Sequence, residues 1–247
     1  MADFLVTGTD TAVGKTVIAA ALVKALRQQG VRALGFKPME TGVDGAAPAD
    51  SDLLQRASCE NNPLAVPLLR LAEALAPAVA AERAGVQVHA EDIERRIDAL
   101  RREGYTLVVE GAGGVLAPLT WEKGVGCLFP EDGRKKAPDP FFTVLDLAQR
   151  CGLEAVVVGR AGLGTLNHLA LTVAALRARA IPIRAVVLNG GSPWPPADPS
   201  EATNPDALAR MLCGPRIIYV PHHDGVDAPG APDIVDATVP YLRSLQP

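Results

Sequence analysis

The chain of 247 residues has only four cysteines, Cys59, Cys127, Cys151 and Cys213, and they lie far apart. That spacing excludes a disulfide framework, a zinc knuckle and a redox pair, so the thiols read as reduced and mostly structural. No apolar stretch approaches the about 18 residues that a membrane span needs. The start, Met1-Ala2-Asp3, carries no basic region, and the first apolar run passes straight into a glycine loop, so no signal peptide is expected. Positive charge is not in excess: the formal net charge is −4 and the pI about 5.6. That balance argues against a nucleic-acid surface. The basic triplet Arg134-Lys135-Lys136 follows Glu131-Asp132 and reads as solvated. Neither a Gly-x-Ser-x-Gly nucleophile elbow nor a dinucleotide fingerprint after the first strand is present. There is no internal repeat. These absences lead to the expectation of a cytoplasmic protein with no membrane or nucleic-acid partner.

What is present begins at residue 4. Phe4-Leu5-Val6-Thr7 is a short apolar run of strand type, followed by Gly8-Thr9-Asp10-Thr11-Ala12-Val13-Gly14-Lys15-Thr16 and then an apolar helical stretch. Strand, glycine-bounded loop, Lys-Thr and helix is the arrangement that cradles phosphate. Successive backbone N–H groups of such a loop converge on an anion, and the helix start adds a partial positive charge. Lys15 would place a cation on the terminal phosphates, and Thr16 a hydroxyl on Mg²⁺. Five residues separate Gly8 from Gly14, one more than in the generic pattern.

Six continuous apolar runs read as strands: Phe4–Thr7, Ala33–Phe36, Thr106–Val109, Ala155–Val158, Ala185–Leu188 and Arg216–Val220. Helical patterns cover Lys15–Gln29, Asp52–Ala57, Ala72–Ala84, Glu91–Arg102, Thr143–Cys151, Leu166–Arg179, Pro205–Leu212 and Ile234–Leu245. Runs without polar alternation suit strands covered on both faces. Their alternation with helices predicts an α/β fold, a doubly wound and mostly parallel sheet in one domain spanning residues 1–247. Ligands of such sheets sit at the carboxyl ends of the strands.

Strand ends are therefore the places to inspect. Lys37 closes the second strand and precedes Pro38, which with Gly42 frames a stiff turn. Ser51 and Asp52 suit a helix cap, yet Asp52 equally suits a carboxylate facing Mg²⁺. Spacing alone leaves both open. Val109-Glu110-Gly111-Ala112-Gly113-Gly114 closes a strand with an acid and glycines, the place where phosphoryl-transfer enzymes carry a metal-binding carboxylate. Gly162-Leu163-Gly164-Thr165 precedes another helix, with Thr165 a plausible N-cap and His168 expected to pack. Asn189 ends a strand with an amide able to donate and accept on a base edge. His222 and His223 are adjacent, point apart on an extended chain, and lack a third metal ligand. Thr120–Pro140 reads as a long surface loop and a candidate lid, Asn61–Pro77 as irregular, and Ser192–Asn204 as a proline-rich loop.

Together these stretches resemble the dethiobiotin synthetase family, P-loop enzymes that act with ATP. The phosphate loop with its extra residue, Gly35-Phe36-Lys37-Pro38 with Thr41-Gly42, Val109–Gly114, Gly162–His168 and Asn61-Asn62-Pro63 with Ala81-Glu82-Arg83 all match in family order. The resemblance implies that 7,8-diaminopelargonate takes up CO₂ as a carbamate, that ATP phosphorylates it, and that the second amine closes a cyclic urea. It implies Lys37, Lys15 and Thr41 as catalytic residues, and Thr16, Asp52 and Glu110 as ligands of Mg²⁺. Around the nucleotide it implies Ala12, Val13, Gly14, Lys15, Thr16, Val17, Asp52, Glu110, Gly111, Ala112, Gly113, Asn189, Pro221, His222 and His223. Against the substrate it implies Thr11, Thr41, Leu163, Gly164, Thr165 and Asn167, the helix start Leu163–Asn167 serving the other subunit of a homodimer. Two features depart from the family pattern: the Thr120–Pro140 segment is long, and His222-His223 stands where an apolar base contact is expected. An acidic residue beyond that point is expected at Asp224 or Asp227. Related proteins of other classes are an amide synthase of the cobyrinic acid type, which would carry a fused glutaminase domain, and a partitioning ATPase. The latter carries a second lysine early in the loop, where this chain has only Lys15.

Overall fold

The computed structural model describes residues 2–43, 45, 49–121, 141–190, 198–223 and 233–247. The strands are β1 (Phe4–Gly8), β2 (Ala33–Phe36), β3 (Met39–Thr41), β4 (Leu69–Leu71), β5 (Thr106–Gly114), β6 (Pro118–Trp121), β7 (Phe141–Thr143), β8 (Glu154–Arg160), β9 (Ile183–Asn189) and β10 (Arg216–Val220). The helices are α1 (Lys15–Gln28), α2 (Asp50–Ser58), α3 (Pro77–Arg83), α4 (Ala90–Arg102), α5 (Val144–Arg150), α6 (Thr165–Ala178), α7 (Pro199–Leu212) and α8 (Ile234–Leu242).

All six strands expected from their apolar runs join one parallel sheet in the order β10-β9-β8-β1-β5-β2. Alternation along each strand divides its side chains between two cores. Phe4 and Val6 face the layer of α1, α2 and α8, where Ile18, Leu22, Leu26, Leu54 and Val239 pack. Leu5, Leu107, Val109 and Val157 face the opposite layer, with Ile93, Ile97, Leu147, Leu169 and Leu208. Each fully buried Leu or Ile contributes on the order of 1.5–3 kcal/mol of transfer free energy. Helices on both faces make the sheet doubly wound, as the run pattern predicts.

Chain order passes from β1 to β2 at the edge, and β5 then returns to lie between them. The sheet grows the other way through β8, β9 and β10. β1 is thus where strand order reverses, and the phosphate loop leaves its carboxyl end.

Several boundaries differ from expectation for local reasons. The segment at 72–76 stays outside α3 because Pro77 takes the first helical position and holds Ala76 extended (φ −57°, ψ 139°). α7 starts at Pro199 rather than Pro205. Asp198 caps it by accepting from the Ser200 N–H at 2.9 Å, and Pro205 is carried inside the helix. α2 starts at Asp50 rather than Asp52. β3 with β4 forms a small parallel pair, and β6 with β7 an antiparallel one, both too short to stand out in the sequence. Cys151 is buried, whereas Cys59 and Cys213 are exposed at helix ends with positive φ. The candidate lid beyond Trp121, residues 192–197 of the expected proline-rich loop, Cys127, Asp224 and Asp227 lie outside the described residues.

Gly35 is where α2 crosses β2 at close quarters: a Cβ there would stand 2.8 Å from Leu54 Cβ. Gly35→Ala is expected to cost about 1–3 kcal/mol through this overlap. Calorimetric unfolding of the variant checks it, and an unchanged melting temperature contradicts it.

Candidate active site

The loop after β1 is held before any ligand arrives. The Thr9 N–H donates to the Val158 carbonyl of β8 at 3.0 Å, and the Asp10 carboxylate accepts from the Thr11 N–H at 2.7 Å. Ala12 and Gly14 take positive φ (53° and 93°). Position 14 requires glycine, since a Cβ on this backbone would fall 2.0 Å from the Asn189 amide nitrogen. Lys15 is buried at 6% exposure, and its ammonium donates to the Asp10 carbonyl at 2.7 Å, folding the side chain back along its own loop.

Glu110 lies within β5, paired with Val6 in register, and is 1% exposed. Its Oε1 accepts from Thr16 Oγ1 at 2.9 Å and from Lys37 Nζ at 3.0 Å. Its Oε2 is buried without a hydrogen-bond partner. Lys37, 7% exposed, also pairs with Asp50 at the start of α2. Burial disfavours the Lys37 ammonium, but Glu110 and Asp50 outweigh it and raise its pKa above the ordinary lysine value. Lys15 is lowered by burial, against the pull of Glu110 and with a push from Lys37. Burial raises the Glu110 carboxyl, against the lowering pull of Lys37. A buried carboxylate with one unpartnered oxygen, beside a threonine hydroxyl at a phosphate loop, fits a hard divalent cation. Among the described residues there is no cluster of three or more His, Cys, Asp or Glu that would form an all-protein metal cage. A cation here would complete its shell with phosphate and water, as Mg²⁺ does.

The family resemblance implies Asp52 as a metal ligand beside Thr16 and Glu110. In the structure Asp52 accepts from Arg70 at 2.7 Å, and its neighbour Asp50 is the residue that reaches Lys37. Ser51 does not cap α2. Its hydroxyl donates to Glu40 Oε2 at 2.7 Å, and its N–H donates to Glu40 Oε1 at 3.0 Å. Glu40 is 2% exposed and pairs also with Arg70 at 3.2 Å. Glu40, Asp50 and Arg70 were not singled out by spacing, because each acts through a partner distant in sequence. Thr41 lies on β3 next to this network, half-buried.

A cleft of about 370 Å³ opens beside the loop and is lined by Ala12, Val13, Gly14, Val17, Asn189, Pro221 and His223. The Asn189 amide donates one N–H to the Val13 carbonyl at 3.0 Å, which leaves its oxygen and its second N–H. His223 Nε2 is buried and unpartnered, whereas His222 is exposed and lies outside the cleft lining. Arg160 also lines the cleft. Its position as a cation at a strand end is the same signal that identified Lys37. On the neighbouring loop Gly114 comes against Gly8, a Cβ there standing 3.5 Å from the Gly8 carbonyl oxygen, and Gly113 has φ 65°. Gly111 packs on Val144, and Ala112 is half-buried after it.

The start of α6 carries Leu163, Gly164, Thr165 and Asn167 at the same edge of the sheet, outside the cleft lining. Gly164 is the N-cap with φ 91°. Thr165 is the first helical residue, its hydroxyl buried without a partner rather than capping. His168 is exposed rather than packed, since α6 turns its Leu169, Val173 and Leu176 face to the sheet.

A phosphate loop at the switch point of a parallel sheet, with a buried lysine and a Thr–Glu–Lys cluster, defines a P-loop nucleotide-binding protein. The family model described as an AAA domain matches residues 2–125 and 137–230. The ATP-dependent dethiobiotin synthetase BioD of Anaeromyxobacter dehalogenans is 42% identical over 212 residues, 85% of this chain and 86% of the relative. The proteins of the same name from Mycobacterium tuberculosis and Thermodesulfovibrio yellowstonii are 39% and 32% identical, each alignment covering at least 84% of both chains. The chain belongs to the ATP-dependent dethiobiotin synthetase family. Among solved structures it is similar to the MinC:MinD cell division protein complex of Aquifex aeolicus, at TM-score 0.53 and 12% identity, over 100% of this chain and 98% of that one. This last likeness concerns the fold.

The two aspartates at the start of α2 are separable by experiment. Asp52→Asn is expected to weaken Mn²⁺ binding to the nucleotide complex about tenfold, as loss of a charged ligand. Asp50→Asn is expected to leave Mn²⁺ affinity within about twofold and to lower turnover through Lys37. Paramagnetic Mn²⁺ titration of both variants checks this, and the reverse ranking would assign the metal to Asp50.

Proposed function

We propose that this chain condenses 7,8-diaminopelargonate with CO₂ at the expense of ATP, giving dethiobiotin, ADP and phosphate in biotin synthesis. Its family membership makes it an ATP-dependent ligase. The observation that carries the site reading is the buried Glu110 cluster, with Thr16 and Lys37 on one carboxylate oxygen and the other oxygen unpartnered.

The chemistry divides into steps that these residues suit. One substrate amine adds to CO₂ and loses a proton, giving a carbamate. A carbamate oxygen attacks the γ-phosphorus, the bond to the β,γ-bridging oxygen breaks, and ADP leaves. The second amine then attacks the carbonyl carbon, phosphate departs with the C–O electron pair, and a proton is released. No protein nucleophile is required. What the protein supplies is position and charge on a transferring phosphoryl group. Lys15 meets the terminal phosphates, Lys37 the carbamate oxygen and the γ-phosphate, and Thr11 and Thr41 hydrogen-bond the diamine. Thr16, Glu110 and Asp52 would hold Mg²⁺, which when bound neutralises charge on the β- and γ-phosphates. The backbone of Gly111, Ala112 and Gly113 lines the phosphates. Asn189, Pro221 and His223, which line the cleft, bound the base.

A homodimer is part of the same reading. Leu163, just ahead of α6, and Leu171 within it are 81% and 63% exposed, and Asn167 precedes Leu171 by one helical turn. A second copy would cover this stripe and bring the helix start to a neighbouring site, where its amides meet the substrate carboxylate. The chain acts as one unit from residue 1 to 247, in the cytoplasm, with small molecules as its partners. Among the described residues no helix is long and apolar enough to cross a membrane.

The deciding measurement is phosphate release from Mg-ATP with and without diamine and bicarbonate. Release that requires both, with the mass of the cyclic urea, is expected. ATP hydrolysis indifferent to the diamine overturns the reading. Lys37→Ala is expected to reduce turnover by about a hundredfold or more, in line with removal of a transition-state cation, and also to lower the melting temperature, because it leaves the buried Glu110 carboxylate without its cation. Leu171→Asp is expected to sediment as a monomer, and retention of the parent mass in sedimentation overturns the interface.

A further inference from the structure

α7 was not expected to begin until Pro205, and its first turns hold no residue of the cleft. Yet they reach across to the loop between β8 and α6. Asn204 is 4% exposed, and its side-chain amide donates to two successive carbonyls, Ala161 at 2.7 Å and Gly162 at 3.2 Å. Both partners are acceptors only, so the amide nitrogen must face them. Asp198, which caps α7 through the Ser200 N–H, uses its other oxygen to accept from the Leu163 N–H at 3.1 Å. The Ala161 N–H in turn donates to the Asn189 carbonyl at 3.1 Å. Three consecutive residues ahead of the α6 start are thus fixed by hydrogen bonds from β9 and α7.

This arrangement changes which groups of the loop remain for a ligand. The Leu163 N–H is taken by Asp198. The Thr165 N–H turns back to the Gly162 carbonyl at 3.4 Å, and the His168 N–H to Gly164 at 3.4 Å. The helix amides left outward are those of Leu166 and Asn167, next to the buried and unpartnered Thr165 hydroxyl. We infer that Asn204 and Asp198 are positioning residues for the diamine: they set the path of residues 161–163 so that the α6 start, and not Leu163, receives the substrate carboxylate. This inference rests on the proposed role of the α6 start in substrate binding. Asn204 supplies the rigid part of the clasp, being buried with both amide hydrogens used. Asp198 supplies the outer part and keeps a carboxylate beside Leu163, where a second carboxylate is repelled.

The test is steady-state kinetics in the intact enzyme. Asp198→Ala, on the surface, is expected to raise the KM for the diamine about tenfold, the usual scale for one lost hydrogen bond to a charged group. The KM for ATP stays within about twofold. Asp198→Asn retains an acceptor for the Leu163 N–H and is expected to restore the diamine KM to within about threefold of the parent. Asn204→Asp has the same shape but sets a carboxylate against two carbonyls, and is expected to exceed the effect of Asp198→Ala on the diamine KM. Equal rises in both KM values, an unchanged diamine KM in Asp198→Ala, or no rescue by Asp198→Asn would overturn the inference. Parent enzyme that turns over ATP without need of diamine would instead remove the functional reading on which it rests.

Discussion

Much of the site depends on a carboxylate buried in the middle of the sheet. Taking Glu110 out of water at 1% exposure is costly unless it is paired and hydrogen-bonded. Lys37 and Thr16 answer that need from opposite sides, one from the end of β2 and one from the start of α1. The pairing fixes three elements relative to one another at the edge where β1 ends. Lys15, one residue before Thr16, is placed by the same constraint. The remaining oxygen is buried and has no hydrogen-bond partner.

The order of strands explains why these residues can meet at all. β5 inserts between β1 and β2, so Glu110 stands between the two strands whose ends carry Lys15 and Lys37. A simple progression of neighbours would separate them. Beyond the sheet, Glu40 continues the same logic. It binds both the N–H and the hydroxyl of Ser51, and with Arg70 it ties the start of α2 to the turn after Lys37. The loop carrying Lys37 and the helix carrying Asp50 and Asp52 therefore form one body.

The sheet was legible because its strands are unbroken apolar runs, and the phosphate loop because glycine, lysine and threonine have backbone and charge roles that survive without context. Lys37 and Glu110 were legible as strand-end charges. Asn189 was legible as a strand-end amide, although one of its two N–H groups is held by Val13. Other features were not. β3, β4, β6 and β7 are three- or four-residue strands whose pairing is tertiary. α7 was shortened at Pro205, since a proline reads as a helix start wherever it falls, and the cap that decides the matter is the side chain of Asp198. Thr165 was read as a cap because its type suits one, whereas the glycine before it already adopts the left-handed conformation. Asp52 was named through the family resemblance, and only the fold shows that it pairs with Arg70 while Asp50 pairs with Lys37.

That last pairing bears on how the site takes its ligands. Asp50 neutralises Lys37, and Arg70 neutralises Asp52. A triphosphate drawn to Lys37 competes with Asp50 for the same ammonium. A cation drawn to Asp52 competes with Arg70, which is 38% exposed and keeps Glu40 and Ser51 as partners when it lets go. Phosphate and metal together satisfy both sets of released charges. Asp50 and Asp52 are 45% and 48% exposed, so both pairs are weak ones that exchange at little cost. The exchangeable pairs of Asp50 and Asp52 thus stand at the rim of a framework that the buried Glu110 and Glu40 hold.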